Sequence, residues 1–156
     1  MIEDETVIVV KGAPIPKGSL KCVGRGGKHR LIEDNPRTEG WRQHVADAAS
    51  SAPKRAEIHQ PIGVEITSTI ARPLGHIGAR GLRPSAPAMP AMGRTGDVDK
   101  LARLVLDALT DSGLLDDDSQ VVEVTSRKTY PIENDCAWTA DALPYPGVVV
   151  RVYPMD

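Results

Sequence analysis

Phenylalanine does not occur in this chain, and all aromatic residues together make up only 3% of its 156 residues. A core assembled around aromatic rings is therefore excluded. One built from Val, Leu, Ile and Ala is expected instead, in a single domain (1–156) by length. Cysteine is scarce too: Cys22 and Cys136 stand alone, in no metal-ligand spacing, and read as reduced cytosolic thiols. The four histidines, at 29, 44, 59 and 76, show no zinc spacing. No apolar run approaches the length that crosses a bilayer. The opening residues Met1-Ile2-Glu3-Asp4-Glu5 are acidic, unlike a secretory signal. These absences point to a cytoplasmic protein with no membrane partner.

The net charge is −2, an unpromising value for a protein that meets nucleic acid. Its distribution is more telling. Residues 1–96 hold 14 Lys and Arg against 9 Asp and Glu, whereas residues 97–156 hold 5 against 12. No acid interrupts Thr6 to Ile32, a window with Lys11, Lys17, Lys21, Arg25, Lys28 and Arg30. None interrupts Ile66 to Gly96, where Arg72, Arg80, Arg83 and Arg94 lie. Phosphate contacts favour basic runs free of carboxylates. Lys17, Lys21, Arg25, Lys28, Arg80, Arg83 and Arg94 are thus candidate DNA contacts; for the first run an ordinary solvated surface is the competing explanation.

The acids concentrate in Gly96 to Lys128. Leu101, Leu104, Val105, Ala108 and Leu109 recur on a helical period, and Gly113 stands where a helix ends in the left-handed conformation. Asp97 and Asp99 open this helix, Asp116-Asp117-Asp118 follow it, and a strand then carries Lys128. Capping and the helix dipole would use one carboxylate, not several. Two carboxylates about 4 Å apart repel by roughly 4 kcal/mol at an effective dielectric near 20, a term that bound Mg²⁺ or Mn²⁺ reverses. An EF-hand is excluded: counted from Asp97 its sixth and twelfth positions are Ala102 and Ala108, and from Asp116 they are Val121 and Arg127. A few carboxylates with room for phosphate oxygens is the Mg²⁺ pattern, and such a site beside DNA cuts phosphodiesters.

These residues resemble the RusA family of Holliday-junction resolvases. The shared pattern is D-x-D-[NK]-L, D-A-L, G, D-D-x-Q-V-V and K. Here it reads Asp97-Val98-Asp99-Lys100-Leu101, Asp107-Ala108-Leu109, Gly113, Asp117-Asp118-Ser119-Gln120-Val121-Val122 and Lys128, closing on Tyr130. Gly12-Ala13-Pro14-Ile15-Pro16-Lys17-Gly18 resembles the family's N-terminal G-x-P-x-P-K-G, and Arg83-Pro84-Ser85-Ala86-Pro87-Ala88 resembles a segment of actinobacterial and actinophage members. The resemblance implies a homodimeric, Mg²⁺-dependent endonuclease (Mn²⁺ substituting) that nicks four-way DNA junctions symmetrically, in a bacterial cytosol if phage-encoded. It implies Asp97, Asp99 and Asp118 as metal ligands. Asp117 is a spare ligand or a partner to one, and Lys128 would orient water or stabilise charge. The family's bacterial members carry a lysine where this chain has Arg103. Arg103 can clamp a phosphate bidentately but cannot give up a proton near neutral pH. A different metal-dependent nuclease for flaps or linear duplex, and a non-catalytic junction-binding protein, are the rival readings.

Along the chain, strands are expected at Thr6–Lys11, Ile62–Ile70, Gln120–Tyr130 and Gly147–Tyr153. Helices are expected at 37–52, where Trp41, Val45, Ala48, Ala49 and Ala52 form a stripe, and after Asp97. Gly12–Lys28 reads as a loop or irregular hairpin. Leu74–Arg94, with its glycines and prolines, reads as a long mobile loop. Asp107 is expected to pair with Arg103, and Asp116 to be solvated. The sum is an α+β domain: a small mixed sheet backed by two main helices.

Overall fold

The computed structural model describes residues 4–18, 20–33, 35–56, 59–133 and 137–156, and the reading of Cys136 lies outside them. Strand β1 (Thr6–Lys11) leads to a hairpin of β2 (Leu20–Arg25) and β3 (Lys28–Glu33), then to helix α1 (Thr38–Ser50) and strand β4 (Ile62–Thr69). A two-residue ladder follows, β5 (Ile77–Gly78) with β6 (Gly81–Leu82). Helix α2 (Val98–Asp111), strand β7 (Val121–Thr129) and strand β8 (Gly147–Pro154) complete the chain. The main sheet has the order β1-β8-β4-β7. β8 runs antiparallel to β1 and β4, while β4 and β7 are parallel, so the sheet is mixed and the α+β expectation holds.

Aliphatic periodicity explains the layers. In α2 the stripe Leu101, Leu104, Val105, Ala108 and Leu109 is buried, and in α1 Trp41, Val45 and Ala49 are. Both helices pack on the face carrying Ile8, Val10, Val64, Ile66, Val148, Val150 and Val152. β4 is buried on both faces as a central strand. β7 is an edge strand, with Val122 and Val124 exposed.

Two segments depart from expectation. The hairpin alternative for Gly12–Lys28 is correct only beyond Gly18, and it extends to Glu33. Gly26 and Gly27, at φ of 60° and 78°, supply the two positive-φ positions of its turn. Leu74–Arg94 is not structureless. It holds a 3-10 turn at Leu74–His76, the β5–β6 ladder and a second 3-10 turn at Gly93–Thr95. Arg72 Nη1 donates to the Pro87 carbonyl at 2.8 Å and Thr95 Oγ1 to that of Pro90 at 3.2 Å. Proline and glycine prevent a long element but favour tight turns, which side-chain bonds to carbonyls then fix.

Candidate active site

Asp97 takes the N-cap position of α2 with extended backbone angles, yet its carboxylate makes no capping bond. It lies 3.5 Å from Lys100 Nζ and is exposed, as is Asp99 in the first turn. Gly96, at φ 85°, turns the chain into the helix, and Pro16 packs where a Gly96 side chain would be. The Lys17 amide donates to the Lys100 carbonyl at 3.0 Å. The N-terminal G-x-P-x-P-K-G run thus braces the start of α2.

Lys128 reaches the same place from β7. Its Nζ donates to the Gly96 carbonyl at 2.8 Å and to Thr95 Oγ1 at 2.9 Å, while Ser126 Oγ lies 3.4 Å from the Val98 carbonyl. No carboxylate among the described residues pairs with Lys128. Thr95 is a positioning residue that sequence reasoning missed. Its only signal was its place one residue before Gly96, next to the acidic motif.

Asp117 and Asp118 do not join this group within one chain. They sit in the 3-10 turn Asp118–Gln120 and its cap, at the start of β7, whereas Lys128 lies near the strand's end. At about 3.3 Å per residue that separation is roughly 20 Å. α2 runs back along β7, so Asp97 and Asp118 stand at opposite ends. Among the described residues no three His, Cys, Asp or Glu side chains are grouped to hold a metal ion. Asp97 and Asp99 alone fit a Mg²⁺ site of one or two carboxylates completed by water and phosphate. Asp117 accepts from the Ser119 amide at 2.7 Å, and bonding to Ser119 holds its carboxyl below the usual range.

Other expected residues fall as follows. Arg103 is exposed, one turn along α2 from Asp99, without a hydrogen bond or ion pair among the described residues. Asp107 pairs with Lys17 at 2.9 Å and lies 3.8 Å from Arg42, not with Arg103, because α1 and the N-terminal run flank that face. Lys17 therefore has its charge answered. Asp116 is not simply solvated: it pairs with Lys54 at 2.6 Å. Arg25 and Lys28 are exposed at the tip of the β2–β3 hairpin, and Lys21 is exposed along it. Arg80, Arg83 and Arg94 are exposed between β5 and α2. No helix of the described residues is long and apolar enough to cross a membrane.

A family model described as endodeoxyribonuclease RusA matches residues 11–136. No curated protein matches the chain.

Proposed function

Because the chain belongs to the RusA family of endodeoxyribonucleases, which act on branched DNA junctions, we propose that it resolves four-way junctions by symmetric nicking, as a homodimer that uses Mg²⁺ or, in its place, Mn²⁺. One observation carries this reading. An N-cap aspartate that makes no capping bond stands at the helix start that Lys128 reaches, and no acid among the described residues neutralises that lysine, at the end of two parallel strands. A merely structural helix start has no need of either.

A bound divalent cation supplies positive charge against the scissile phosphate and eases ionisation of water. The chain's own residues do the rest. Asp97 and Asp99 hold the cation side of the phosphate, and Lys128, fixed by Thr95 and Gly96, offers its ammonium to a phosphate oxygen. Arg103, on the Asp99 face of α2, clamps the next phosphate with two parallel N–H bonds.

A second copy accounts for Asp118. β7 offers nine residues of edge strand with Val122 and Val124 exposed, a surface that invites pairing. Antiparallel pairing of two copies about Thr125 sets Glu123 of each opposite Arg127 of the other, an attractive cross-strand pair. The start of one β7 then lies at the end of the other, so Asp117 and Asp118 of one copy approach Lys128, Asp97 and Asp99 of the second. Two equivalent sites follow, as symmetric nicking requires.

Incubation of the protein with a labelled four-way junction, with Mg²⁺ and with EDTA, tests the activity. Asp97→Asn, Asp99→Asn and Asp118→Asn are each expected to abolish nicking while junction binding stays intact or tightens, since less negative charge faces the phosphates. Most of the activity surviving in any two of them would overturn the assignment. Equal cutting of flaps or linear duplex would favour the broader nuclease reading, and binding without Mg²⁺-dependent nicking the non-catalytic one.

A further inference from the structure

Past Lys128 the chain runs through Thr129 into Tyr130, where it lines a cavity of about 340 Å³. The cavity therefore opens at the same end of the sheet as the Lys128–Gly96 contact. A space of this size suits a small planar ligand. Arg72, Tyr130, Glu133 and Trp138 are among its walls. The Arg72 guanidinium lies over the Tyr130 ring at 4.2 Å, and His76 meets that ring edge-on at 5.6 Å. Both groups are thus held in place. Yet Tyr130 Oη and Arg72 Nε are buried with no hydrogen-bond partner among the described residues. Both atoms are closed off from the opening, so the groups left to meet a ligand are those of Glu133 and Trp138. Trp138, by contrast, is 45% exposed at the cavity wall.

We infer that this cavity receives one nucleobase unstacked from the DNA beside the cleaved phosphate, an inference that rests on the junction-cleaving reading above. A base carries donors and acceptors on one edge and a flat face on each side. The Glu133 carboxylate accepts from an exocyclic amine, which cytosine, adenine and guanine carry. Trp138 supplies the stacking surface. A phosphate would be repelled by Glu133 and would leave the indole unused. A purely apolar ligand would cover the Glu133 carboxylate without giving it a donor. Bases at a branch point have already lost part of their stacking, so drawing one out there is cheaper than from a continuous duplex.

The test uses the whole protein with four-way junctions in EDTA, so that binding is read without cutting. 5-Iododeoxycytidine, which carries an exocyclic amine, is placed in turn at each nucleotide near the crossover, irradiated, and the cross-linked residue mapped. One position is expected to cross-link to Trp138 or Tyr130. An abasic nucleotide at that position and Trp138→Ala should each weaken binding about tenfold, and the two together no more than either alone. Glu133→Gln should leave thermal stability unchanged yet reduce discrimination among bases at that position. Junction binding with no cross-link to the cavity, or additive losses, would overturn the inference alone. Failure to bind branched DNA at all would overturn both it and the reading beneath it.

Discussion

A lysine that donates to a hydroxyl and a carbonyl and pairs with no acid keeps its charge for something else, and among the described residues Lys128 is such a lysine. Its place on a strand after the acidic motif was legible in the sequence, but its direction depended on which pleat of β7 faces α2, and a strand pattern alone leaves that open. Arg103 was legible as a position and not as a role. Its exposure and its lack of a partner among the described residues favour a phosphate clamp over a structural ion pair. Arg103→Lys should then keep substantial nicking activity and Arg103→Ala lose most of it, because the first retains the charge and the second removes charge and donors together. Single-turnover nicking of a labelled junction measures the difference; wild-type rates in the alanine variant would move the clamp to Lys128 or Lys100. Asp107 and Asp116 were misjudged for one reason. Their partners, Lys17 and Lys54, lie 90 and 62 residues away in sequence, beyond any local rule.

Among the elements, the helices and the four main strands were legible because aliphatic residues repeat at clean periods, and each was placed within one or two residues. The Leu74–Arg94 segment and the approach to β8 were not, since turn residues announce an interruption without giving its shape. The approach to β8 is tied down by charge. Arg151 on that strand bonds Asp141 through Nε at 2.7 Å and Nη2 at 2.8 Å, and Glu5 through Nη1 at 2.9 Å. Hydrogen bonding from Arg151 holds the Asp141 carboxyl below the usual range and raises Arg151 above its own. A carboxyl lowered on folding stabilises the fold above its unfolded pKa, near 4, and loses that contribution as pH falls through the folded value. Asp141→Asn should therefore cost about 1.5–3 kcal/mol at pH 7, a charge-assisted bond's worth, and less at pH 3. Urea midpoints at the two pH values decide it: an equal gap at both would mean that the carboxylate's charge contributes nothing.

For the whole molecule, the family motif picks out acids along the chain but says nothing of which copy each acid would serve. One chain keeps Asp118 roughly 20 Å from Asp97, by strand rise. The proposed pairing across β7 would bring the acids of two copies to a common end, and a mixture of defective chains separates the two arrangements. Let one chain carry Asp97→Asn with Asp99→Asn, and the other Asp118→Asn, each inactive alone. In a mixed dimer with shared sites, one site collects every substitution, and the other joins intact Asp97 and Asp99 of the second chain to intact Asp118 of the first. That second site is wild-type, so the mixture, after subunit exchange, should recover nicking on one strand of the junction. With about half of all dimers mixed at equal concentrations, the recovered single-nicking activity should approach a quarter of the wild-type sites. If each site lay within one chain, both sites of the mixed dimer would be defective and no activity would return. Val124→Asp, which places like charges near the centre of the β7 pair, should abolish the recovery and shift the protein toward monomer in sedimentation.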